Sequence, residues 1–323
     1  MRIRTAAALV FCLAGSQQTA WAGYDSHPKF EQFATELEKE YQIPPEEAKR
    51  WLAQSKRLNS VLEAISRPAE RTLQWDRYQD IFLTQKRIQG GKKFLKTHAA
   101  LLAKAEQEYG VPREIITAII GVETFYGTRQ GSYRVLDSLA TLAFDYPKRP
   151  LFWKQLKAFF AMTRDEGLDP GKIKGSYAGA MGYGQFIPTS FLAYAVDGDN
   201  DGKRDLWNNP ADAIASVANY FKRHGWRTDE PVTQRVRVQG SAYEPLVNDN
   251  RKPKWTAGQL IDKGVSFTQE GGDLQRPANL IRLQGKQGAE FWLGEYNFYV
   301  ITRYNHSRMY AMAVYQLSKA LSE

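Results

Sequence analysis

A mostly helical α+β fold carrying one small β unit is what the 323-residue sequence predicts, on three observations. Apolar residues recur at three- and four-residue steps over most of the chain, the spacing of one helix face. Proline, asparagine and glycine stand where those stretches begin and end. From Val232 the period changes to two, with Val232, Val236 and Val238 set between polar residues as in a half-buried strand.

From His27 to about Gly110 the pattern is helical. Phe30, Phe33 and Leu37 fall at i, i+3 and i+7, Pro44-Pro45 opens a second segment, and Phe94 to Tyr109 makes another. A helix follows Pro112, where proline suits the first turn, with Ile116, Ile119 and Ile120 on one face and Glu123 continuing it. Dense glycine between Gly171 and Gly184 predicts loop and turn, and Pro188 restarts a helix that ends before the acidic stretch at Asp197. Asn209-Pro210 opens the next helix, with Ile214, Val217, Ala218 and Phe221 on its apolar face and Gly225 placed to stop it. In the β unit, between about Asp229 and Phe298, Leu280–Leu283, Glu290–Leu293 and Asn297–Thr302 read as strands, the first two joined by the Gly285–Gly288 turn. Met309 to Leu321 returns to helix.

With 43% apolar residues the chain can bury a full core in two or three structural units. Arg2 and Arg4, an apolar run from Ala6 to Ala14, and Ala20-Trp21-Ala22 before Gly23 have the layout of a secretory signal peptide over residues 1–22. That run is too short to span a membrane, and no later stretch is long and apolar enough, so a soluble exported product with no transmembrane segment is expected. Phe11 precedes Cys12 where a lipoprotein signal needs a small residue, which argues against a lipid anchor. Cys12 is the only cysteine, so the mature chain forms no disulfide. Removing residues 1–22 takes two arginines and no acid, leaving 42 basic against 35 acidic residues, a net +7. That charge suits an anionic partner or simply solubility. The export signal and the lack of a basic run or a nucleic-acid motif argue against nucleic acid.

Glu123 is the most informative residue. It extends an isoleucine-rich face just before Phe125-Tyr126-Gly127 ends the helix, and burial among such neighbours favours a protonated carboxyl able to act as a general acid. The plain alternative is a rim glutamate that reaches solvent at a helix end. In Tyr177-Ala-Gly179-Ala-Met-Gly182-Tyr183-Gly184-Gln185-Phe186 the glycines let a chain or ligand approach the backbone, and Gln185 offers a donor and an acceptor to hydroxyls or amides. A plain glycine-rich turn reads equally from that stretch. Asp197, Asp199 and Asp201 stand at positions 1, 3 and 5 of a calcium-loop pattern, with Gly202 at 6 and the Lys203 carbonyl at 7. Asn208 replaces the usual glutamate at position 12. Asp212 could close the site, and could also simply cap its helix, while Asp205 acts through water or not at all. A structural Ca²⁺ is favoured over an empty acidic turn. His27, His98, His224 and His306 have no metal-ligand spacing, which argues against zinc. Tyr220, Tyr304 and Tyr310 could stack on sugars or pack in the core.

Gly121-Val-Glu123-Thr-Phe-Tyr-Gly127, the Gly179–Phe186 stretch, the aspartate loop ending in Leu206-Trp207, Thr302-Arg-Tyr304-Asn305 and Tyr310-Ala-Met-Ala-Val314 together resemble the lytic transglycosylase B family of murein enzymes, over nearly all of the mature chain. The resemblance implies a lysozyme-like core flanked by a helical domain and a small β domain. It divides the chain into a helical domain at 23–110, a lysozyme-like core with the calcium loop at 111–228, the β domain at 229–298 and a returning segment at 299–323. It implies Glu123 as catalytic acid, Ser176, Gln185, Tyr220, Tyr304 and Tyr310 as sugar-contacting residues, and Asp197, Asp199, Asp201, the Lys203 carbonyl and Asp212 as Ca²⁺ ligands. One extra residue between Trp207 and the following helix makes Asp212 the weakest of that set. The partners expected are peptidoglycan glycan strands, with cell-wall synthesis proteins as further candidates, for a soluble periplasmic protein expected to be a monomer; neither the synthesis partners nor the oligomeric state is read from the residues themselves.

The implied reaction is cleavage of the β-1,4 bond between N-acetylmuramic acid and N-acetylglucosamine, with Glu123 as acid and then base and a 1,6-anhydro sugar as product. Two rivals stand beside it. One is a hydrolytic muramidase using Asp137, Asp145 or Asp165 as a second carboxylate, and the other is a wall-binding module without activity.

Overall fold

The computed structural model describes residues 23–67, 73–148, 150–248, 252–268 and 273–323, so the signal segment and Cys12 lie outside the described residues. Six helices form the first part: α1 (Phe30–Tyr41), α2 (Pro45–Leu52), α3 (Asn59–Ser66), α4 (Trp75–Phe82), α5 (Gln85–Thr97) and α6 (Ala99–Tyr109). The predicted period holds in α1, where Phe30, Phe33, Ala34 and Leu37 are buried, and Pro45 sits in the first turn of α2. The single helix expected over Phe94–Tyr109 is corrected to two. His98 leaves the helical region (φ −112°, ψ 28°), ending α5 and starting α6.

The middle of the chain contributes α7 (Arg113–Thr124), β1 (Tyr133–Arg134), α8 (Val135–Asp145), α9 (Leu151–Asp165), β2 (Lys174–Gly175), α10 (Pro188–Tyr194) and α11 (Pro210–Arg223). β1 and β2 pair antiparallel. In α7 every residue from Ile115 to Val122 is buried, and α8 is buried from Val135 to Phe144. Helices covered on all sides show no amphipathic stripe, which is why the sequence pattern does not announce α8. Asn209 caps α11 by accepting from Ala211 N, and Gly225 follows it with φ +86°.

A five-stranded antiparallel sheet follows in the order β4-β6-β7-β3-β5, built from β3 (Thr233–Val238), β4 (Trp255–Thr256), β5 (Val265–Phe267), β6 (Pro277–Gly285) and β7 (Gly288–Gly294), with α12 (Ala257–Ile261) after β4. The faces of β6 divide the apolar interior. Ala278 and Leu280 join a small core with Val236, Leu260 and Val265, while Ile281 and Leu283 join the large helical core. Strand side chains alternate in direction, so one strand serves both cores.

Helices α13 (Tyr296–Tyr304) and α14 (Arg308–Ser322) bring the chain back to the helical body. Asn297–Thr302, read from sequence as a strand, is helix. Its aromatic and β-branched residues favour strand locally, but Phe298, Val300 and Ile301 are buried in the large core, and tertiary packing overrides that preference. Asn297 fixes the turn into the helix, accepting from Arg227 N and donating to the carbonyls of Arg227 and Glu230 at 2.8 Å.

Candidate active site

Glu123 lies on the last turn of α7 and is half-buried. The backbone then passes through three successive left-handed residues, Phe125 (φ 51°), Tyr126 (φ 61°) and Gly127 (φ 84°). That conformation costs about 1–2 kcal/mol for a residue with a side chain, so packing must enforce it. Arg87, buried on α5, supplies part of that packing. Its guanidinium lies 5.1 Å from both the Phe82 and Phe125 rings, and its Nε donates to the Gly121 carbonyl at 3.1 Å. The Tyr126 hydroxyl donates to the Arg87 carbonyl at 2.8 Å, and its ring covers Gly121 so closely that a Cβ there would stand 2.7 Å from it. On the other side Thr124 Oγ1 donates to the Tyr183 carbonyl at 2.8 Å, tying the end of α7 to the glycine-rich loop.

Tyr310 on α14 approaches Glu123 directly. Its buried hydroxyl donates to Glu123 Oε1 at 2.6 Å. Ser307 caps α14 by accepting from Tyr310 N, which fixes the helix turn that aims the ring. Burial first, and then the charge of Glu123, push the Tyr310 phenol far above its ordinary value, so it stays a donor. Tyr304, at the end of α13, is raised by the same two causes, and its hydroxyl donates to the Gly184 carbonyl at 2.5 Å. Tyr220 on α11 lies edge-on to Tyr304 at 4.7 Å and donates to the Arg303 carbonyl at 2.6 Å. Burial also raises its phenol.

The glycine-rich loop is filled largely by the protein's own groups. A Cβ at Gly184 would stand 2.7 Å from the Tyr304 hydroxyl, and one at Gly182 would strike the Leu206 carbonyl. Gln185 adopts φ 50° and donates through Nε2 to the carbonyls of Gln130 and Gly182, both at 3.1 Å. Ser176 Oγ accepts from the backbone N–H groups of Ala178 and Ala180. Of the sugar-contact candidates, Tyr310 therefore touches Glu123, Tyr304 bonds the Gly184 carbonyl and packs edge-on against Tyr220, and Gln185 and Ser176 bond backbone groups of the loops around them.

Asp197, Asp199 and Asp212 place carboxylate oxygens within 4.8 Å of one another. Asp212 is fully buried and spans the loop, accepting from Gly198 N and from Asp205 N at 2.7 Å each. Burial raises its carboxyl against those hydrogen bonds, and the charges of Asp199 and Asp197 raise it further. Three converging oxygen donors, one of them buried, fit a hard divalent cation that would offset their repulsion. Asp201 accepts from Lys203 N through Oδ1, while Asp205 accepts from the backbone of Trp207 and Asn208, capping the turn beyond the loop.

The three aspartates weighed as second carboxylates are engaged elsewhere. Asp137 accepts from Lys56 N, Asp145 holds the Tyr24 hydroxyl and Arg57, and Asp165 pairs with Arg164. Sequence reasoning missed Arg87, Gln130 and His224. His224 stacks on Tyr220 with ring centroids 4.0 Å apart, and its Nδ1 lies 2.7 Å from the Tyr220 carbonyl. Its position four residues after Tyr220 on one helix face was the available signal. Nothing local marks Arg87.

The transglycosylase SLT domain family model matches residues 25–319. The membrane-bound lytic murein transglycosylase B of Escherichia coli K12 is 42% identical over 309 residues, covering 93% of this chain and 84% of that one. The crystal structure of the catenated lytic transglycosylase SltB1 from Pseudomonas aeruginosa is 47% identical, covers 93% of this chain and 98% of its own, and superposes with a TM-score of 0.88. The Escherichia coli lytic transglycosylase Slt35, solved in complex with calcium, is 42% identical over 95% of this chain and 97% of its own, with a TM-score of 0.83. Sequence match and fold agree, and the chain belongs to the transglycosylase SLT domain family.

Proposed function

We propose that this protein is a lytic murein transglycosylase whose single acid and base is Glu123. The observation that carries the reading is the buried Tyr310 hydroxyl on Glu123 Oε1, within a chain that matches the family almost from end to end. The protonated Glu123 carboxyl gives its proton to the glycosidic oxygen between N-acetylmuramic acid and N-acetylglucosamine as the C1–O bond breaks. The neighbouring N-acetyl group holds the anomeric carbon. The same sugar's 6-hydroxyl then bonds to C1 as the acetyl oxygen leaves it, and its proton passes to the Glu123 carboxylate, which restores the acid. The product ends in a 1,6-anhydro ring and no water is consumed.

Tyr310 orients the Glu123 carboxyl through one oxygen. In this reading Ser176, Gln185, Tyr220, Tyr304 and Tyr310 line the sugar path and set the ring and acetyl group in place. Asp197, Asp199, Asp201, the Lys203 carbonyl and Asp212 would hold Ca²⁺ as a structural ion. The engagement of Asp137, Asp145 and Asp165 away from Glu123 favours the transglycosylase over a two-carboxylate hydrolase. The signal-like residues 1–22 support export to the periplasm, and among the described residues no helix is long and apolar enough to cross a membrane. Clearing of a murein-containing gel tests the reading: the mature chain clears it and Glu123→Gln does not, whereas equal clearing by both removes Glu123 from the chemistry.

A further inference from the structure

We infer that Gln130 is a positioning residue that joins the exit of the 197–205 loop to Gln185, so that an ion bound in the loop steadies the sugar-binding wall. This rests on the reading of Glu123 as the catalytic centre and of the aspartate cluster as a cation site. The hydrogen-bond path runs without a gap. Asp212 pins Asp205 N at 2.7 Å, and the next two carbonyls both serve the groove. Leu206 O accepts from Tyr183 N at 2.9 Å, and Trp207 O accepts from Gln130 Nε2 at 2.9 Å.

Gln130 uses its second amide hydrogen on the Gly127 carbonyl at 3.1 Å, which braces the left-handed turn after Glu123. Its backbone carbonyl accepts from Gln185 Nε2 at 3.1 Å. Both side-chain amides have their two hydrogens committed, and a shift of Trp207 would have to move Gln130, Gln185 or both. No methionine or carboxylate at position 130 could reproduce the two donated bonds. Half-buried Gln130 is bonded to Trp207, Gly127 and Gln185, so its effect passes through Gln185 and the backbone it holds.

The native chain, Gln130→Met, Gln185→Leu and the double variant are compared, with Gln130→Glu as a second donor-free replacement should the methionine fail to fold. Calorimetry gives the Kd for the anhydro-disaccharide product with Ca²⁺ and with a chelator, alongside KM, kcat and Tm. Each single variant is expected to weaken product binding roughly tenfold with kcat changed far less, and the double variant no more than the worse single. Chelation should weaken product binding in the native chain but not further in Gln130→Met, while Tm falls on chelation in both. Additive losses, or equal chelator sensitivity in native and variant, overturn the proposal alone. A native chain that neither cleaves murein nor binds the product overturns it together with the reading on which it rests.

Discussion

The Tyr310 hydroxyl donates to Glu123 Oε1 at 2.6 Å across 187 positions of sequence, joining the last turn of α7 to the first turn of α14. As Glu123 gives up its proton its carboxylate becomes charged, and a hydrogen bond to a charged group contributes about 1.5–3 kcal/mol, so Tyr310→Phe should lower kcat by roughly 10- to 100-fold. KM and Tm should change little, because the ring remains in place. Steady-state kinetics on purified murein check this, and an unchanged kcat would show that the hydroxyl does not matter to the acid.

The aspartate loop predicts a metal-dependent stability. Ca²⁺ at about 100 times its Kd should add roughly 2.7 kcal/mol to the unfolding free energy, read as a rise in Tm that a chelator reverses. Asp212→Asn should abolish that rise, since the buried carboxylate is one of three converging donors. A Tm indifferent to Ca²⁺ in the native chain would remove the ion from the account.

How much of this was legible in the sequence differs by residue. Glu123 could be read because it continues a run of isoleucines, and the loop aspartates because ligand spacing is local. The start of α11 was written in Asn209-Pro210, as capping is local too. Asn297–Thr302 misled because its residues prefer strand in isolation, and only burial of Phe298, Val300 and Ile301 makes it helix. Arg87 and Gln130 were invisible: each acts by donating to backbone carbonyls distant in sequence, which no local pattern encodes.

Gly184 predicts a steric effect. A Cβ there would meet the Tyr304 hydroxyl at 2.7 Å and Val217 at 3.0 Å, so Gly184→Ala should displace Tyr304 from the Gly184 carbonyl. A cost of about 1–3 kcal/mol is expected, with a raised KM. Thermal unfolding and kinetics on the same preparation check both parts.

His224 predicts a pH effect. Burial holds its imidazole below the ordinary 6.5, against the opposing hydrogen bond to the Tyr220 carbonyl. The unfolded chain therefore takes up this proton first, so the stability it contributes is complete above about 6.5 and is lost as pH falls through the folded value. Native protein should lose Tm between pH 7.5 and 5.5 more steeply than His224→Asn, and parallel curves would contradict the assignment.

Cleavage of purified murein in ¹⁸O-labelled water, followed by mass spectrometry of the soluble fragments, tests the central claim most directly. Closure by the sugar's own 6-hydroxyl predicts anhydro-ended fragments free of label, formed by the native chain and not by Glu123→Gln. Reducing ends carrying ¹⁸O would contradict it, because water rather than the 6-hydroxyl would then have attacked the anomeric carbon.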